Sequence, residues 1–155
     1  MTSPKHLVRL GAGAAAAAVA LGVVGAGPAA ADRVYPLTNC TAMSPNVVDL
    51  PYSPTRVIVS EYAGKTYLTT EFNSVWLGVG YTSRMRLDYR NLRTGQRGVR
   101  FSTRHVSPPY TGTHQIVIAT SSLGRGPVRL VLNATNSNAL WSIPAPTCTS
   151  TIVVR

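Results

Sequence analysis

A chain of 155 residues with 15 Lys and Arg against five Asp and Glu carries a formal net charge of +10. That length admits one domain, alone or behind a processed leader. Its 45% apolar residues exclude a disordered polyelectrolyte, and with only 13% charged residues the positive balance reflects a shortage of acids, not a basic tail.

Residues 1–31 have the layout of a secretory signal peptide. Lys5 and Arg9 lie in an acid-free start, residues 10–27 form an uncharged run, and Pro28 breaks it before Ala29-Ala30-Ala31. Cleavage is expected after Ala31, leaving 32–155 as a single secreted, extracellular domain. The run of about 18 residues is near the lower limit for a membrane span. A retained anchor is the rival reading, but weakly apolar alanines and glycines and the Ala-Ala-Ala exit favour cleavage. Asn39 before Cys40, far past the apolar run, does not fit a lipoprotein signal. Without the leader the charge is +8, and no further membrane span is expected.

The remaining chain reads as short strands punctuated by Gly and Pro. Residues 56–62 and 66–72 flank Ala63-Gly64-Lys65 as a hairpin. Residues 75–81 follow, interrupted by Gly78 and Gly80. Residues 84–90 alternate strictly between polar and apolar, with 99–104 as their partner. Further strands are expected at 114–120, 128–134, 139–143 and 151–154, with short edges at 35–37 and 47–50. No long window has helical periodicity. Roughly seven to nine strands at this spacing imply an all-β, antiparallel sandwich or barrel, and export favours an immunoglobulin-like β-sandwich.

Cys40 and Cys148 fall near opposite ends of the exported part, where an oxidising compartment makes one disulfide of them. It would staple the N-terminal segment to the C-terminal strand region. Two free thiols are the alternative; a metal site would need further ligands.

The strongest feature is the stretch 84–104, with seven arginines and one acid, Asp88, contributing +6 of the +8. On a strand, Arg84, Arg86, Asp88 and Arg90 share one face and Met85, Leu87 and Tyr89 the other. On the next strand, Arg100, Ser102 and Arg104 share a face opposite Val99, Phe101 and Thr103. Joining the two apolar faces pairs Tyr89 with Val99 or Phe101 across an odd-length loop containing Arg93, Arg97 and the Thr94-Gly95 turn. The expected product is a column of guanidiniums suited to phosphate, carboxylate or sulfate. A solvated outer face, protected from edge aggregation by charge, is the plainer alternative.

Other chemistries find little footing. His105 and His114 form no ligand pattern, and no cofactor or metal is implied. No nucleophile elbow occurs. Glu61 and Glu71 could face one another across the first hairpin, as a glycosidase pair would, but exposed strand positions explain them more simply. Gly78-Val79-Gly80 lacks the rest of a dinucleotide fingerprint. Arg125, in Leu123-Gly124-Arg125-Gly126-Pro127, sits in a tight turn that could present itself to a trypsin-like protease. Trp76, Trp141 and the tyrosines fit sheet packing better than a sugar platform.

The alanine-rich leader, the arginine-rich body, Leu92-Arg93-Thr94-Gly95 and Trp141-Ser142-Ile143-Pro144 together resemble small secreted actinobacterial proteins with immunoglobulin-like sandwiches. The resemblance implies a fold and brings no site residues with it. The expectation is a non-catalytic extracellular binding module. Its partner would be an anionic cell-envelope polymer or an acidic protein surface, not a specific nucleic acid, met by Arg84, Arg86, Arg90, Arg93, Arg97, Arg100 and Arg104. A loop-based protease inhibitor or toxin-like effector is the alternative.

Overall fold

The computed structural model describes residues 32–38, 40, 45, 53–73, 80–107, 112–144 and 147–155. The expected leader, the short edge at 47–50, most of the run 75–81 and Trp76 lie outside the described residues. The described strands are β1 (Arg33–Pro36), β2 (Ser53–Tyr62), β3 (Lys65–Asn73), β4 (Tyr81–Asn91), β5 (Arg97–Val106), β6 (Thr113–Ala119), β7 (Gly126–Ser137), β8 (Ser142–Pro144) and β9 (Cys148–Val154). A single helical turn, α1 (Thr120–Leu123), was not foreseen; it carries the chain from β6 to β7.

The protein is all-β, with two antiparallel sheets. One has the order β1-β2-β3-β6 and the other β5-β4-β7-β8, with β9 also pairing β7. Alternation sets the inner faces. Val57, Val59, Leu68, Ile116 and Ile118 from the first sheet join Met85, Leu87, Leu130, Leu132 and Ile152 from the second in one buried cluster. In the β2–β3 hairpin, Tyr62 pairs with Lys65 around Ala63 and Gly64, whose φ values of 48° and 73° are those of a tight two-residue turn.

The N-terminal segment ties the sheets together. β1 pairs with β2, and then Thr38 bridges Thr149 of β9 through backbone hydrogen bonds of 3.1 and 3.2 Å. Beside this bridge Cys40 is disulfide-bonded to Cys148, with Cα atoms 4.8 Å apart. The staple is therefore the expected one. Closing a loop of 108 residues stabilises the fold by ~4–5 kcal/mol in the chain-entropy model.

The pairing of β4 with β5 differs from the sequence expectation by one residue. Tyr89 pairs with Gly98, Leu87 with Arg100 and Arg86 with Phe101. Arg90 pairs with Arg97, so the connecting loop of residues 91–96 is even in length, not odd. The packing of Tyr89 gives the reason. A Cβ at position 98 would lie 2.6 Å from Tyr89 Cζ, so a glycine must stand there, and the Tyr89–Val99 register would bring a branched side chain against the ring. The expectation also treated both strands as half-buried. β5 is an edge strand, and Gly98, Arg100, Ser102 and Arg104 on its core side remain open to solvent, while Val106 at its end is buried.

Candidate anion-binding face

The corrected register redistributes the seven arginines. Residues paired directly across an antiparallel ladder point to the same side. Arg84, Arg86, Arg90 and Arg97 therefore share the outward face of the second sheet, as the alternation of β4 predicted for the first three. Arg100 and Arg104 do not join them. They stand opposite Leu87 and Ser83, on the core side of the edge strand. The Arg100 guanidinium carbon lies 6.0 Å from the Tyr89 ring centroid. Inward-pointing charges on an edge strand discourage pairing with another chain. Arg93 is in the turn, beside Gly126 at the start of β7.

The outward face gains a residue that the sequence did not single out. β7 pairs with the other side of β4, placing Arg129 opposite Arg90. Arg97, Arg90 and Arg129 thus form one row across three adjacent strands, continued by Thr151 of β9. The next row is Val99, Asp88 and Val131. An open depression of about 500 Å³ lies against these three arginines, the two valines and Asp88.

Charge pairing leaves this row uncompensated. Among the described residues the ion pairs are Arg33–Glu61 at 2.6 Å, Arg56–Glu71 at 2.6 Å and Arg86–Asp88 at 2.7 Å. Asp88, the one acid of the stretch, is thus held by Arg86, and Arg90, Arg97 and Arg129 have no acidic partner. The Arg129 signal lay in the alternation of β7, where Val128, Leu130 and Leu132 are buried and Arg129 is exposed. Sequence alone did not reveal which strand would lie beside it.

The same pole is held together by Asn91, which is fully buried. Its Nδ2 donates to Leu123 O at 3.0 Å and Arg125 O at 3.2 Å. Its Oδ1 accepts from the backbone N–H groups of Arg93 and Thr94, both at 2.9 Å. One side chain thus fastens the β4–β5 turn to the α1–β7 loop. Gly124 fits there at φ 69°, and a Cβ would sit 3.0 Å from Asn91 Nδ2.

The remaining candidates fall elsewhere. Glu61 and Glu71 do not oppose one another: their cross-strand partners are Thr66 and Arg56. His105 is exposed on the outward face, opposite Thr82. His114 is fully buried, with Nε2 3.0 Å from Ser83 Oγ and Nδ1 2.9 Å from Ser102 Oγ. Burial, aided by the nearby Arg104 cation, lowers its pKa from 6.5 to about 4. Among the described residues no cluster of His, Cys, Asp and Glu could hold a metal ion, and no helix is long and apolar enough to cross a membrane. Trp141 is half-exposed, its indole N–H donating to Pro45 O at 2.6 Å.

Fold and site together define an all-β protein of two antiparallel sheets, one bearing an arginine row on its outward face. The chain matches no protein-family model, no curated protein and no solved structure.

Proposed function

We propose that this chain is a secreted, non-catalytic interaction module with an immunoglobulin-like sandwich fold, and that its outward arginine face binds an anionic partner. The partner is an anionic cell-envelope polymer or an acidic protein surface. The observation that carries this reading is the row Arg97–Arg90–Arg129, three cations side by side with no ion-pair partner among the described residues. Like charges directly opposite each other on a sheet are unfavourable. An anion spanning the row would relieve that repulsion, and the guanidinium fork suits phosphate, sulfate and carboxylate.

The strand order supports the immunoglobulin-like assignment. β2-β3-β6 lies in one sheet and β5-β4-β7-β9 in the other, with the chain crossing between sheets after β3, β5 and β6, as Greek-key sandwiches do. The signal-like composition of residues 1–31 and the Cys40–Cys148 bond support export.

Binding to a polyanion-coated surface, measured across a salt series, tests the reading. Affinity should fall steeply with salt and drop when Arg90, Arg97 and Arg129 are changed to Gln. Salt-independent binding, or unchanged affinity in the triple variant, would sink it.

A second reading, inhibition of a trypsin-like protease through Arg125, gains support from the Asn91 bond to Arg125 O, which stiffens that exposed loop. Stoichiometric inhibition lost in Arg125→Ala would favour it over the arginine face.

A further inference from the structure

The alternation of β5 places Phe101 on an apolar face with Val99, and the structure turns that face outward. Phe101 is 74% exposed and stands directly opposite Arg86. Asn133 follows Arg86 in the same row, and Thr103, Arg84 and Thr135 form the next. An open depression of about 350 Å³ lies against Arg84, Arg86, Phe101, Asn133 and Thr135.

We infer that the anionic partner is an acidic polysaccharide, with one sugar ring resting on Phe101 and acidic substituents reaching the Arg97–Arg90–Arg129 row. This rests on the anion-binding reading of that row and narrows its ligand. The chemistry of the face divides along the strands. At one end an exposed phenyl ring has Thr103 two residues along its own strand and, on the far side of Arg86, Asn133; a ring with these neutral groups in reach suits a sugar with an apolar face and hydroxyl edges. At the other end, four residues along β5, is the cationic row. At about 3.3 Å per residue, the two ends are roughly 13 Å apart, a span of two to three linked sugars. Arg86, opposite the ring, is already held by Asp88 at 2.7 Å, and Arg84 stands as a single cation in the next row, so three neighbouring cations occur only in the Arg97–Arg90–Arg129 row. A single-stranded nucleic acid would want a succession of rings for successive bases. Phe101 is the only Phe, Tyr or Trp at the outward positions of β4, β5 and β7.

The test compares three probes on the disulfide-bonded protein: polygalacturonate oligomers, long-chain polyphosphate and oligothymidylate. The variants are Phe101→Thr, Phe101→Tyr and Arg90→Gln with Arg129→Gln. Phe101→Thr should weaken polygalacturonate binding roughly fivefold to tenfold, as loss of an aromatic anchor does. It should leave polyphosphate binding within about twofold and the thermal midpoint unchanged, because the ring is exposed. Phe101→Tyr should bind polygalacturonate like the parent, and the double arginine variant should lose affinity for both polymers. Polygalacturonate affinity that ignores Phe101→Thr, or oligothymidylate binding that is tighter and lost with the ring, overturns the polysaccharide inference while leaving the arginine face intact. Failure of the parent protein to bind any of the three overturns both.

Discussion

Arg90 of β4 stands directly opposite Arg129 of β7, 39 residues away in the chain, and neither has an acidic partner among the described residues. With Arg97 on the other side of Arg90, this places three like charges on adjacent strands. Such a row works against the fold that holds it, which gives a prediction of unusual sign. Arg129→Thr should stabilise the protein at low ionic strength by up to about 1 kcal/mol, and the gain should shrink as salt screens the row. Chemical denaturation at two salt concentrations checks this. A destabilised variant would mean that Arg129 contributes packing that outweighs its charge.

Tyr89 and Gly98 fix the β4–β5 register by close approach. Gly98→Ala should cost about 1–3 kcal/mol, because the added methyl meets the Tyr89 ring at 2.6–2.9 Å. The companion change Tyr89→Ala removes that obstacle. In a double-mutant cycle, Gly98→Ala should be much less harmful on the Tyr89→Ala background. Additive effects would contradict the register argument.

His114 makes stability depend on pH. Its folded pKa of about 4 lies below the ordinary 6.5, so between those values the unfolded chain binds a proton that the folded protein refuses. The contribution of the neutral, serine-held imidazole is complete above pH 6.5 and is lost as pH falls toward 4. Its full size is about 3 kcal/mol. His114→Gln should flatten that part of the unfolding profile relative to the parent. A profile equally steep in both proteins would place the sensitivity elsewhere.

Asn91 spends both halves of its amide on four backbone groups from two loops. Asn91→Ala should destabilise by roughly 2–4 kcal/mol, because it leaves buried backbone groups without partners. Hydrogen exchange should quicken at Arg93 and Thr94, whose N–H groups it accepts. Unchanged exchange at those two amides would count against the fastening role.

The fold was more legible than the face. Alternation in 84–90 announced which residues are inward, and Ala63-Gly64-Lys65 announced the first turn, because both signals are local. The partner of a strand is not local. Nothing in 84–104 says that β7 will lie against β4, so Arg129 was passed over. The placement of Arg100, Arg104 and Phe101 failed for a related reason. Periodicity identifies two faces of a strand but cannot say which is covered when the strand lies at an edge. There, a close contact between one ring and one glycine decided the register. Asn91 escaped notice, and His114 was weighed only as a metal ligand, because the value of both comes from groups gathered from distant segments.

Polyanion binding by the arginine row is what sets the function proposed for this protein. Its most direct test is the salt dependence of polyanion binding by the parent protein and by the Arg90→Gln, Arg129→Gln double variant. The parent should lose affinity steeply as salt rises, while the variant should bind at least about tenfold more weakly at low salt with a shallower dependence. Equal affinities and equal salt slopes in the two proteins would contradict it.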